Sequence, residues 1–188
     1  MKPHPVMAQS TEARQAAGAR GMALVVDADA ARGGAMRLML EQVGFRALVA
    51  REAGEALRLF EQAQPDIVFM EIELPGMDGI ETTHFIKRRV GLDFVPVIFL
   101  TDDLQDEALI MRCTEAGGDD FLSRPISPAI LEARIFAMER MRDLQRTVAA
   151  KQQALSDLVE REREEQALAE RVLSRAVKNR NVAMDRLG

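Results

Sequence analysis

The segment IVFMEIELPGMDG, residues 67–79, decides the fold of this chain. Its first four residues, Ile67 to Met70, form an apolar run typical of a buried strand, and Pro-Gly and Asp-Gly pairs mark the loop that follows. A carboxylate, Glu71, therefore stands at the carboxyl end of a strand. Because open α/β sheets bind their ligands at this end of their strands, Glu71 is the first candidate site residue.

The surrounding sequence, residues 22–141, alternates short apolar runs with amphipathic stretches. Strands are predicted at 23–26, 45–50, 67–70, 95–100 and 119–122, and helices at 31–42, 53–62, 80–89, 106–116 and from Pro128, with Ser127 as its N-cap. Five strands alternating with five helices predict an α/β fold with a doubly wound parallel sheet, the flavodoxin-like (βα)5 arrangement.

Composition limits the classes of function. The net charge of -5 and the absence of a basic helix–turn–helix pattern argue against a nucleic-acid partner. The single cysteine, Cys113, lies in an apolar run, which indicates a small buried side chain and a reducing, cytoplasmic compartment. No apolar run is long enough to cross a membrane, so no membrane partner is expected. Residues 1–21 are expected to form a disordered leader.

The last part of the chain, residues 142–188, has a different pattern. It contains no proline, and its only glycine is the terminal Gly188. Apolar residues recur at heptad spacing, interrupted by Lys151, Glu162 and Glu165. We expect a long helix that pairs with a second copy as a parallel homodimeric coiled coil, through Leu144, Val148, Leu155, Leu158, Ala169 and Val172. The alternatives are a single helix folded onto another domain and a frayed end.

Four motifs at the predicted strand ends share one resemblance. They are Val25-Val26-Asp27-Ala28-Asp29, the stretch around Glu71, Phe99-Leu100-Thr101, and AGGDDFLSRP at residues 116–125. In this order and spacing they resemble the receiver domain of two-component response regulators, from Ala23 to about Met141. The resemblance implies a signalling module that is not an enzyme, and a cis peptide between Arg124 and Pro125.

The resemblance also implies roles for individual residues. Receiver domains hold Mg²⁺ with acids at the first strand and accept a phosphoryl group on an aspartate of the third. Here it implies Asp27, Glu71 and Glu73 as metal ligands, with Glu71 in the place of the phosphoacceptor. The switch residues it implies are Thr101, Phe121 and Arg124.

Three positions depart from the family pattern. Ala28 replaces the second acid, so any Mg²⁺ binding is expected to be weak. Glu71 is longer than aspartate by roughly 1.5 Å, and a 1 Å error in the position of a nucleophile can cost about 10²-fold in rate. Arg124 replaces the usual lysine with a planar fork. Together these departures argue against efficient phosphoryl transfer.

Glu71 allows three interpretations. Its carboxylate can project toward Thr101 and Arg124 and imitate a phosphorylated aspartate permanently. Alternatively, the site has decayed and Glu71 forms a structural ion pair with Arg124. A third interpretation is a substitution introduced to mimic phosphorylation.

The predicted function is a regulatory receiver biased to an active-like state, relaying through its dimeric coiled coil to an output domain. Residues 163–172 resemble the linkers of receiver–serine/threonine phosphatase fusions, which makes a phosphatase the candidate output. A histidine kinase or a downstream signalling protein is the expected partner. The alternatives are a stand-alone adaptor that binds a protein partner without phosphorylation, and an ordinary phosphate-accepting receiver.

Overall fold

The computed structural model describes residues 20–90, 94–102 and 105–184, with side chains described up to residue 167 and at 170 and 171. The chain divides into two compact units, Met1–Asp143 and Leu144–Gly188. Most of the predicted leader lies outside the described residues. Gly21, assigned to that leader, is instead the first residue of a strand. The predicted border between residues 141 and 142 stays a prediction.

The first unit is a five-stranded parallel sheet in the order β2-β1-β3-β4-β5, which confirms the predicted fold. The elements are β1 (Gly21–Val26), α1 (Ala30–Gln42), β2 (Phe45–Ala50), α2 (Ala53–Ala63), β3 (Ile67–Glu71), α3 (Gly79–Val90), β4 (Val97–Thr101), α4 (Glu107–Glu115), β5 (Asp120–Ser123) and α5 (Pro128–Met184). Strand β4 begins two residues later than predicted. Pro96 has no N–H for the ladder, although its carbonyl still accepts the N–H of Val68 at 2.9 Å.

Each face of the sheet carries its own apolar core, because successive strand residues point to opposite faces. Helices α1 and α5 cover one face, where Leu40 and Ile135 pack against Phe69. Helices α2, α3 and α4 cover the other face, on which Phe99 lies. Every residue of β1, β3 and β4 is buried. The carboxyl ends of these strands consequently meet at one well-fixed edge.

Cys113 confirms its predicted place in the core, where it is fully buried. Burial raises the pKa of the Cys113 thiol to about 11, so the side chain is a neutral thiol at physiological pH. It packs as a small apolar residue in the core beneath α4.

The second unit is the distal part of helix α5, which runs without interruption to Met184. Four of the predicted dimerisation residues are exposed in the single chain, each by between 46% and 65%: Leu144, Val148, Leu155 and Leu158. The side chains of Ala169 and Val172 lie outside the described residues. None of the helices in the described ranges is long and apolar enough to span a membrane.

Candidate functional site

Two acidic side chains lie almost completely buried at the carboxyl edge of the sheet. Asp27 follows the last residue of β1, and Glu71 ends the neighbouring strand β3. Their side chains are only 2% and 8% exposed. Carboxylates removed from water to this extent require partners that neutralise them. The partners of this pair therefore define the site.

The first partner is Arg124, which follows β5 as predicted. Its Nη2 contacts the Oε2 of Glu71 and lies 2.9 Å from the Oδ2 of Asp27. Burial alone would lower the pKa of Arg124. The hydrogen bond to Glu71 and the charges of both acids raise this pKa by more than burial lowers it, so the net shift is upward. The guanidinium is therefore firmly charged. Its Nη1 lies 3.4 Å from the Oδ1 of the exposed Asp102.

Arg32 is the second partner, and it was not among the predicted site residues. Its Nη2 lies 3.1 Å from the Oδ1 of Asp27 and 3.7 Å from the Oε2 of Glu71. One signal in the sequence could have revealed it: Arg32 occupies the first turn of a helix that has no acidic residue there. A cation is unfavourable at a helix N-terminus, so its presence indicates an acidic partner nearby.

Backbone donors complete the surroundings of the two acids. The Oδ1 of Asp27 also accepts the N–H of Asp29 at 2.9 Å, and the Oε1 of Glu71 accepts the N–H of Ile72 at 3.1 Å. The other two carboxylate oxygens face the guanidinium groups described above. All four oxygens of the pair are thus engaged by N–H donors.

Thr101 and Phe121, the other predicted switch residues, lie on β4 and β5. Thr101 is buried at the end of β4, and its carbonyl accepts the N–H of Arg124 at 3.0 Å. Phe121 is half-buried, and its ring stacks on that of Phe99 with centroids 5.9 Å apart. The Arg124–Pro125 peptide is cis, as the resemblance implied. The structure thus brings Arg124 to the acid pair and joins its backbone to that of Thr101.

Two further acids near the strand ends, Glu73 and Asp29, have other surroundings. Glu73 is exposed in the loop after β3. Asp29 caps helix α1, where its side chain accepts the N–H groups of Ala31 and Arg32. The hydrogen bonds from Arg32 and Ala31 lower the pKa of Asp29. Across the described part of the chain, no three His, Cys, Asp or Glu side chains converge as metal ligands.

Comparison with known proteins gives consistent matches. The family model described as response regulator receiver domain matches residues 23–136. The transcriptional regulatory protein AfsQ1 of Streptomyces coelicolor is 33% identical over 127 residues, covering 68% of this chain and 54% of that protein. The DNA-binding response regulator MtrA of Mycobacterium tuberculosis is 32% identical over 120 residues, covering 64% of this chain and 51% of that protein.

A solved structure shares the fold over a similar share of this chain. The two-component response regulator from Clostridium difficile superposes with a TM-score of 0.58 at 28% identity, covering 64% of this chain and 97% of that one. The chain spans about half the length of the curated relatives it matches.

These relatives correct one expectation. Nucleic acid was excluded as a partner, yet the matched relatives include a DNA-binding response regulator, so that expectation is wrong. The physical reason is that a net charge of -5 describes only the surface of this stretch. It carries no information on DNA binding in proteins about twice as long.

We predict that Arg124→Ala destabilises the fold strongly. Removing the guanidinium leaves Asp27 and Glu71 with one cation between them, and we expect the free energy of unfolding to fall by about 3 kcal/mol. The matched control is Arg134→Ala, because Arg134 pairs with Asp120 at 3.0 Å but is 48% exposed. Its cost should stay below about 1 kcal/mol. Urea unfolding followed by circular dichroism measures both, and equal costs would contradict the site as described.

Proposed function

The chain belongs to the response regulator receiver domain family, and we propose that it is a receiver whose signalling state does not depend on phosphorylation. Domains of this family are generally signalling modules without an enzymatic activity of their own. The observation that carries the proposal is the contact of the Glu71 carboxylate with Arg124 at the carboxyl edge of the sheet. Glu71 thereby supplies the negative charge that a phosphoryl group would otherwise bring to this cation.

The chemistry of the pocket supports this assignment. The Oε2 of Glu71 contacts Nη2 of Arg124 and lies 3.7 Å from Nη2 of Arg32, so it is poorly available as a nucleophile. Thr101 lies on the neighbouring strand, one residue beyond Leu100, the register partner of Glu71. Carboxylate, guanidinium and hydroxyl thus belong to adjoining strand ends, as a switch with a fixed setting requires. An active-like bias follows, because the charge on Glu71 is permanent.

The relay that we propose is helix α5. Its first turns belong to the core of the receiver unit through Leu131, Ile135 and Met138. Its distal part carries an exposed apolar stripe, formed by Leu144, Val148, Leu155 and Leu158. Leucine and valine side chains at this heptad spacing fit a second copy of the same helix. A parallel homodimer would bring two receiver units to one shared output.

We propose a serine/threonine phosphatase as that output, on the resemblance of residues 163–172 to the linkers of such fusions. The names of the matched relatives favour a second candidate, a DNA-binding output. A stand-alone adaptor for a kinase or downstream signalling protein is the alternative without either domain. The lone buried Cys113 fits the reducing cytoplasm as the compartment in all three cases.

We predict that acetyl phosphate and Mg²⁺ leave this chain unmodified, as measured by intact mass. Glu71 is held by Arg124, and its extra methylene places the carboxylate away from the position of an aspartate. A receiver with the usual aspartate and lysine, treated in parallel, is the positive control. Addition of one phosphoryl group to this chain, and its loss in Glu71→Gln, would overturn the proposal.

We also predict that Leu155→Asp separates the dimer. A charge placed in the exposed apolar stripe would have to be buried between two helices, so the dimer dissociation constant should rise by at least about tenfold. Ser156→Asp is the matched control, since it adds the same charge one residue away and off the stripe. Sedimentation equilibrium measures both variants. A monomeric starting chain, or equal effects of the two substitutions, would contradict the coiled coil.

A further inference from the structure

We propose that Arg32 is the resident cation of this site and stands where a receiver of this family would hold Mg²⁺. The proposal rests on the function proposed above and deepens it, because it removes the metal as well as the phosphoryl group from the working state. Receiver domains typically bind Mg²⁺ at their phosphorylation site. The residues of this chain do not fit that ion.

The donor set is the first reason for the misfit. Mg²⁺ requires oxygen ligands at about 2.0–2.1 Å in octahedral geometry. Asp27 and Glu71 are the buried acids at this edge among the described residues, and each of their four oxygens already accepts an N–H group. The second acid of the family pattern is Ala28.

The second reason is the position of the Arg32 guanidinium. A single nitrogen, Nη2, lies 3.1 Å from Asp27 and 3.7 Å from Glu71, so it stands between two carboxylates from different strands. An ordinary surface ion pair involves one exposed acid, whereas both acids here are buried. A cation that bridges two such carboxylates occupies the place and performs the neutralising task of a divalent ion.

The charges also balance without a metal. Two carboxylates face two guanidinium groups. Both guanidinium groups approach the Oε2 of Glu71, whereas at Asp27 Arg124 approaches Oδ2 and Arg32 approaches Oδ1. A divalent ion added to this set would bring two excess positive charges beside two buried carboxylates that the guanidinium groups already balance.

Helix α1 delivers Arg32 to this position. The Asp29 cap fixes the first turn through the N–H groups of Ala31 and Arg32, at 2.8 and 3.0 Å. The side chain of Arg32 therefore starts from a rigid point and needs only to extend to the acids. The cost of a cation at a helix N-terminus is offset by these two carboxylates.

The test is a titration with MgCl₂, without any phosphoryl donor, read as the melting temperature of the chain. The variants are Arg32→Gln and the matched control Arg37→Gln, which lies on the same helix and pairs with Glu41 at 3.2 Å. We expect Mg²⁺ to leave this chain and Arg37→Gln unchanged. Arg32→Gln should gain binding, and Mg²⁺ at ten times its dissociation constant should raise the melting temperature by roughly 3 to 6 °C.

A second pair of variants tests the proposal even if Arg32→Gln alone responds weakly to Mg²⁺. Ala28→Asp restores the missing acid, and the double variant Ala28→Asp/Arg32→Gln restores it without the competing guanidinium. We expect the Mg²⁺ dissociation constant of the double variant to be at least tenfold lower than that of Ala28→Asp alone. Equal affinities of these two, no response of the double variant, or a Mg²⁺ response of the unaltered chain would each overturn the proposal.

The outcome is separable from that of the proposed function. Uptake of a phosphoryl group would contradict phosphorylation independence and leave the Mg²⁺ titration unaffected. A Mg²⁺ response of the unaltered chain would remove the role of Arg32 and leave the contact between Glu71 and Arg124 in place.

Discussion

Two carboxylates, Asp27 and Glu71, lie almost fully buried next to each other, and their neutralisation is the constraint on which the rest of the site depends. Parallel strands β1 and β3 force them together, since the carboxyl ends of neighbouring strands share one edge. A buried pair of like charges is strongly unfavourable without cations. Arg124 and Arg32 meet this requirement from two different elements. The two acids at this edge of the sheet are therefore neutralised by side chains of the same chain.

The residue types at the pocket fit each other. The fork of Arg124 lets Nη2 contact both buried acids while Nη1 reaches toward Asp102, which the point charge of a lysine would not do in the same way. The added length of Glu71 brings its carboxylate to that guanidinium. Glu71 and Arg124, two of the three departures from the family pattern, thus contact each other, as the proposed fixed setting of the site requires.

Much of this architecture could be predicted from the sequence. Apolar runs and turn residues are local signals, so the strands and the placing of Asp27, Glu71, Thr101 and Arg124 at their ends followed from periodicity and motif order. The position of Arg32 did not follow, because a long side chain that crosses from a helix to the pocket leaves no local pattern. The role of nucleic acid was misjudged, since charge was read from a stretch about half as long as the relatives.

We propose that Glu71 acts as a built-in signal that reaches the predicted coiled coil. Light scattering across concentration, on this chain and on Glu71→Ala, tests it most directly. Asp102→Ala is the control, because it removes an exposed acid from the same guanidinium. We expect this chain and the control to be tight dimers and Glu71→Ala to dissociate. Equally tight dimers of all three would make Glu71 a structural ion-pair partner only, and would contradict the claim.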